Sequence, residues 1–132
     1  MPIFDTLVLF GASDPEDKAH KQSLEYLHLL VEPEYYLASF ALFEFDIVMK
    51  SRGYSAKDRM TRHALLARDF PVLSIKTRQL SPEVMYLAAK LEEEAGLDYF
   101  DAGVAAEAKS HDGQVVSSDG AFDKLTGIKR IW

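Results

Sequence analysis

Ile3-Phe4-Asp5-Thr6-Leu7-Val8-Leu9-Phe10 is an apolar run interrupted by a single acid and closed by Gly11. A run this short and apolar predicts a strand buried on both faces, the kind that parallel sheets contain. Working outward, helix and strand signals alternate. Asp14-Pro15-Glu16-Asp17 predicts a helix start, with Asp14 as N-cap, Pro15 at the first helical position and acids in the first turn. Leu24, Leu27 and Val31 give its apolar stripe, and Pro33 follows its end. Tyr35 to Ala38 predicts a second strand. Ser39 then caps a helix to about Ser51, with Gly53 as the stop. Ser55 with Asp58 starts another helix that ends before Pro71. Val72-Leu73-Ser74-Ile75 predicts a third strand. Ser81-Pro82-Glu83 opens a helix whose Val84, Leu87, Ala88, Leu91 and Ala95 recur at helical spacing, and Gly96 terminates it. Asp98 caps a helix through about Lys109, Asp112-Gly113 makes a turn, and Gln114-Val115-Val116-Ser117 is a strand. A short helix and a last strand, Ile128 to Ile131, complete the chain. Strands alternating with helices predict an α/β fold around a parallel sheet covered on both faces. There is no repeat, linker or low-complexity tract, so residues 1–132 are expected to form a single domain.

Composition narrows the function classes. The chain has 132 residues, 48% apolar and 27% charged, as in ordinary soluble domains. It has no cysteine, which excludes disulfides, thiolate zinc sites and cysteine nucleophiles. Met1-Pro2-Ile3-Phe4 is not a basic segment leading into a long apolar one, and no apolar stretch is long enough to span a membrane. These features predict a cytoplasmic protein with no membrane partner. A net charge of −6 argues against nucleic-acid binding through bulk charge. The charge is uneven, however. Lys50, Arg52, Lys57, Arg59, Arg62 and Arg68 face only Asp58 in residues 50 to 68. This segment is either a solvated helix face or a phosphate-facing surface, and Lys50, Arg52 and Arg59 are its candidate RNA contacts.

Ligands of open α/β sheets bind beyond the carboxyl ends of the strands. Asp5, in the first strand, and Asp119, just past Val115-Val116-Ser117, are placed for such a crevice. Glu44 has Phe40, Ala41, Ile47 and Val48 as helical neighbours, so its carboxylate needs a partner from elsewhere. Asp46 has Lys50 one turn on and reads as a surface acid. Asp101 also lacks a local base, having Leu97, Asp98, Val104 and Ala105 around it. Each acid has an ordinary alternative: Asp101 in the capping segment of its helix, Asp119 as N-cap of the short helix carrying Phe122. Gathered together, they pose an energetic problem. Two unit charges about 5 Å apart repel by about 3 kcal/mol at an effective dielectric of 20. Either some carboxyls hold protons or a cation is present, and an all-oxygen donor set selects Mg²⁺ or Mn²⁺ over zinc.

These residues resemble the PIN-domain ribonucleases, most closely their VapC-type toxins. Asp5-Thr6, the helix containing His20, Phe43-Glu44-Phe45, Gly96-Leu97-Asp98-Tyr99-Phe100-Asp101-Ala102, Ala105-Ala106-Glu107-Ala108 and Val115-Val116-Ser117-Ser118-Asp119 with Phe122 carry the resemblance along nearly the whole chain. It implies a three-layer α/β/α domain with a central five-stranded parallel sheet in the order 3-2-1-4-5. It further implies a catalytic quartet of Asp5, Glu44, Asp101 and Asp119. Asp5, Asp101 and Asp119 would be metal ligands, with Thr6 and Ser117 supporting them. Its members commonly dimerise, so a homodimer is expected. Two departures stand out. Leu7 occupies a position that is often small and polar, and Ala121 replaces the second acid of the closing motif, which leaves the number of ions open.

The function expected from residues and resemblance together is a Mg²⁺- or Mn²⁺-dependent endoribonuclease, the toxin of a toxin–antitoxin pair. Its partners would be an RNA substrate and a small antitoxin protein. The alternatives are a PIN-like module that binds RNA or protein without cutting, and a housekeeping RNA-processing nuclease. Nothing else in the sequence competes. His20, His28, His63 and His111 lack metal-ligand spacing, Ser117 has no histidine near it, and Gly11 and Gly103 form no phosphate-binding motif.

Overall fold

The structure, a computed structural model, describes residues 3–132. Met1 and Pro2, part of the opening in which no leader pattern was read, lie outside the described residues. Strand β1 (Ile3–Phe4) is short, and the chain turns at once into helix α1 (Thr6–Ser13) and then α2 (His20–His28). After a 3-10 turn come β2 (Tyr36–Leu37), α3 (Ser39–Ser51), α4 (Ala56–Asp69) and the one-turn helix α5 (Leu73–Lys76). Helices α6 (Pro82–Ala95) and α7 (Tyr99–Lys109) follow, then β3 (Gln114–Val116), a 3-10 turn (Gly120–Lys124) and β4 (Lys129–Ile131).

The strands form a four-stranded parallel sheet in the order β2-β1-β3-β4. Ile3 pairs with Tyr36 on one side and Val115 on the other, and Val115 in turn pairs with Arg130. Ile3, Phe4, Leu37, Val115 and Val116 are all fully buried. Successive strand residues point to opposite faces, so burial of neighbouring positions means that both faces of the sheet are covered. Helix α7 packs on β1 and β3 and is itself flanked by α6, while α1 lies against α2 and α3. No helix of the described residues is long and apolar enough to cross a membrane.

Two expected strands change. The run Ile3 to Phe10 is a strand only as far as Phe4. Asp5 stands in extended conformation (φ −86°, ψ 169°) and its Oδ1 accepts from the Thr6 N–H at 2.7 Å, capping α1. An apolar run of this length serves equally as a buried helix, and the cap decides between them. The expected helix start at Asp14 is therefore the C-cap of α1. Asp14 and Asp17 accept from Glu16 N–H and Ala19 N–H in turns that lead to α2. The second change is Val72 to Ile75, which lies largely in α5. Leu73 is buried while Ile75 is 79% exposed, as one helical turn at the rim requires. The sheet resumes at Thr77, through a single parallel bridge to Leu37 and the Arg78 N–H bond to the Leu37 carbonyl at 2.9 Å. The fifth position of the expected 3-2-1-4-5 order is thus one bridge wide.

Val31, expected in the apolar stripe of the first helix, is instead exposed in the 3-10 turn after α2, whereas the remaining cap signals act as expected. Ser55 and Asp58 form a reciprocal capping box, Ser81 caps α6 ahead of Pro82, and Gly96 ends α6 at φ 65°. Ser39 is the exception. The N-cap position of α3 is Ala38, which has no capping side chain. Glu107 of α7 supplies the missing acceptor, taking the Ser39 N–H at 3.0 Å, the Ser39 hydroxyl, and the Phe40 N–H at 3.2 Å. Gly103, one turn before Glu107, lies under the Phe40 ring, where a Cβ would collide. One helix start is thereby locked to the middle of another.

Candidate carboxylate centre

Asp5 reaches the end of β1 because its N–H bonds to the Val116 carbonyl at 3.1 Å, and there the strand gives way to α1. Its carboxyl is buried, with Oδ1 on the Thr6 N–H and Oδ2 accepting from the Ser117 hydroxyl at 2.8 Å. Ser117 follows β3, the strand beside β1, and its Oγ also accepts from the Asp119 N–H at 3.0 Å. One buried hydroxyl thus fixes both acids that lie past the sheet's carboxyl edge. Asp119 caps the 3-10 turn through the Ala121 N–H at 2.9 Å, so its expected capping role and its place at the centre coexist.

Glu44 lies on α3, its partner coming from α1: the Thr6 hydroxyl interacts with both Glu44 and Asp5 and partly offsets the rise of their pKa values. Thr6 Oγ1 also makes a long bond to the Ala41 carbonyl at 3.4 Å. Burial raises the Glu44 pKa, and the charges of Asp5, Asp98 and Asp119 raise it further. Burial likewise raises Asp5, with Asp119 adding to the effect. Asp101 is pushed up to about 8, by burial first, then by Asp98, and then by Asp5 and Asp119. The charges of Asp5 and Asp119 thus bear on both Glu44 and Asp101. Among the described residues, however, no three such groups are gathered closely enough to clasp a metal ion as placed.

Asp98 was read only as a cap, and it does cap α7 through the Asp101 N–H at 2.9 Å. It is also a major neighbouring charge for Asp101 and a contributor at Glu44. The signal was its spacing from Asp101, which stacks two carboxylates on one helix turn. Glu107 was also missed as a structural anchor. Only the turn before it, with Gly103 and Val104, resembles the apolar setting that drew attention to Glu44.

The family model for the PIN domain matches residues 3–128. The chain belongs to the PIN-domain family. Among solved structures, it is similar to FitAcB from Neisseria gonorrhoeae, with 19% identity, a TM-score of 0.71, and 98% of this chain and 96% of that one covered. The same shares are covered in VapBC2 from Rickettsia felis bound to a promoter DNA fragment, at 16% identity and a TM-score of 0.70. They are covered also in a toxin–antitoxin complex from Klebsiella pneumoniae, at 21% identity and a TM-score of 0.64. At these identities the likeness establishes the fold. No curated protein matches the chain.

In this PIN domain the donor set suits a hard divalent ion: every candidate is a carboxylate, and burial together with the neighbouring acids raises the pKa values of Asp5, Glu44 and Asp101. The closing turn departs from the family pattern in a definite way. Ala121 carries no carboxylate, and Asp123 is held by Arg130 in a two-pronged pair at 2.9 Å for each contact. Arg130 also reaches the Ser117 carbonyl at 3.4 Å.

The basic segment divides. Arg59 is taken by Asp46 at 3.1 Å and by the Tyr54 carbonyl at 3.2 Å. Asp46 also bonds to His63 at 2.9 Å, so its partners come from α4 rather than from Lys50. Lys50 is exposed. Arg52 lies over the Phe10 ring, in a cleft that Glu44 also lines.

Proposed function

We propose that this PIN domain is a divalent-metal-dependent endoribonuclease, the toxin of a toxin–antitoxin pair. The observation that carries the proposal is the Ser117 hydroxyl joining Asp5 to Asp119 at the carboxyl edge of the sheet, where their charges bear on Glu44 and Asp101. Asp5, Asp101 and Asp119 would hold Mg²⁺ or Mn²⁺. When bound, the ion would lower the pKa of a coordinated water and offset charge on the phosphoryl oxygens. Ser117 holds Asp5 and Asp119 in place by donating to one and accepting from the backbone of the other. Glu44, half-buried beside Thr6, orients the attacking water and accepts its proton. The water oxygen bonds to phosphorus as the bond to the 3′ oxygen breaks, and the leaving oxygen takes a proton from solvent, giving a 5′ phosphate on one fragment and a 3′ hydroxyl on the other. Because Ala121 offers no side-chain oxygen and Asp123 is engaged by Arg130, a single ion is expected. The solved toxin–antitoxin relatives support a small antitoxin protein as the chain's partner, and family habit supports a homodimer.

The test is cleavage of a labelled RNA in Mn²⁺. Asp5→Asn and Asp101→Asn should each abolish cleavage and leave the fold intact, since asparagine keeps the Oδ1 acceptor that Asp5 uses to cap α1. Cleavage that persists in both variants or in excess chelator would rule the proposal out. A second reading, a PIN-like module that binds without cutting, is favoured by Ala121 and by carboxylates not gathered as a ligand set. It predicts RNA or protein binding with no cleavage in any divalent metal.

A further inference from the structure

The carboxylate centre opens into a cleft of about 590 Å³, lined near the centre by Thr6, Leu7 and Glu44 and farther out by Phe10, Arg52, Tyr54 and Arg62. A second depression of about 440 Å³ shares Tyr54 and Arg62 with it and adds Asp58, Thr61 and Leu65. Together they make a groove running from Glu44 past Arg52 to α4. Its two guanidiniums are held in similar ways. Arg52 lies 5.0 Å from the centre of the Phe10 ring, and Arg62 lies 4.9 Å from that of Tyr54. Arg62 also donates to the Ser13 carbonyl and the Tyr54 hydroxyl, each at 3.4 Å. These contacts orient the side chains without neutralising them.

The other arginines of the segment show why this pair stands apart. Arg59 is committed to Asp46 and Arg68 to Asp69, whereas among the described residues neither Arg52 nor Arg62 is in a direct ion pair. The acids of the groove have other partners: Asp14 and Asp17 each accept a backbone N–H of their own loop, and Asp58, one turn before Arg62, accepts from the Ser55 N–H and hydroxyl while the Arg62 charge adds to the lowering of its pKa. A planar guanidinium fixed by an aromatic face and still carrying free N–H groups is suited to phosphate oxygens. Leu7, 39% exposed, adds apolar surface next to the acids, with Phe10 and Tyr54 farther along. Unstacked bases can cover such surface, whereas a duplex keeps its bases stacked inside.

We propose that this groove is the track for single-stranded RNA on one side of the scissile phosphate, with Arg52 and Arg62 binding successive backbone phosphates as the strand leaves the carboxylates. The placement rests on the nuclease reading, but the binding can be measured apart from it. Fluorescence anisotropy with a fluorescein-labelled single-stranded oligouridylate, in chelator so that no cleavage occurs, reads the affinity of the intact chain over a range of salt. Arg52→Gln and Arg62→Gln should each weaken binding on the order of tenfold. Each should also flatten the slope of log affinity against log salt by roughly 0.7, the value for one single-strand phosphate contact. Arg68→Gln, on the exposed end of α4, should leave both unchanged, and a duplex of equal length should bind more weakly and ignore all three changes. Wild-type affinity in both groove variants, or an equal loss in Arg68→Gln, would overturn the proposal. So would a co-purifying small protein that both groove variants release while RNA affinity stays constant, since the occupant would then be a protein. RNA held through Arg52 and Arg62 but never cut would remove the nuclease reading and leave the groove standing. Cleavage lost in Asp5→Asn, with affinity unmoved in the arginine variants, would do the reverse.

Discussion

Asp101 shows how strongly a single residue can feel this site. An ordinary aspartyl pKa of 3.8 is raised to about 8 in the fold. The folded chain therefore binds more protons than the unfolded chain between those values, so stability falls as pH rises through that window. Asp101→Asn removes the titration. In chelator the variant should melt a few degrees above the wild type at pH 8 and show little difference at pH 4, read by thermal denaturation. Ser117 is the other pivotal residue. Ser117→Ala removes the donor to Asp5 Oδ2 and the acceptor of the Asp119 N–H, and should weaken Mn²⁺ binding by about 10–100-fold, as loss of a ligand-orienting partner does. A calorimetric titration checks it, and unchanged affinity would mean that the two acids do not act together. At this scale the sequence was informative about acids without local partners, which is how Glu44 and Asp101 stood out. Asp98 was harder to see, because its capping role is real and hid the charge that its spacing from Asp101 brings to bear. The roles of Arg52 and Arg59 depended on which aromatic or acid each would meet across the fold, and local spacing holds no such information.

Helices α3 and α7 carry Glu44 and Asp101, and their relative position is set by Glu107 and Gly103. Glu107→Ala would leave the buried Phe40 N–H and the half-buried Ser39 N–H without this acceptor, at a cost of about 1–3 kcal/mol. The variant should also lose RNA cleavage beyond what its melting predicts, because the start of α3 shifts with respect to Asp101. Urea unfolding and cleavage rates measured together separate the two effects. Gly103→Ala would drive a methyl into the Phe40 ring and should cost about 1–3 kcal/mol by overpacking. Elements with a local start or stop signal, such as α4, α6 and α7, were legible in the sequence because Ser55, Ser81, Gly96 and Asp98 act locally. The two short apolar runs were not. Between Ile3 and Phe10 and again between Val72 and Ile75, burial alone does not choose between strand and helix, and the choice fell to an Asp5 cap and to how little of the rim the chain covers.

Over the whole molecule, a parallel sheet with both faces covered brings residues from β1, α3, α7 and the turn after β3 to one edge, although they are far apart in sequence. The alternation of elements foretold that edge, and membership of the PIN family accounts for it. The same architecture leaves one side of the centre open to the arginine groove, while the Asp123–Arg130 pair closes the other to a further acid. Calorimetric titration of the intact chain with Mn²⁺ tests this arrangement most directly. One ion should bind per chain, protons should be released as Asp101 gives up its hydrogen, and Asp5→Asn and Asp101→Asn should each abolish the heat. A second ion should appear only in Ala121→Asp. No binding in the wild type, or heat unchanged in both asparagine variants, would contradict a metal centre built from these carboxylates.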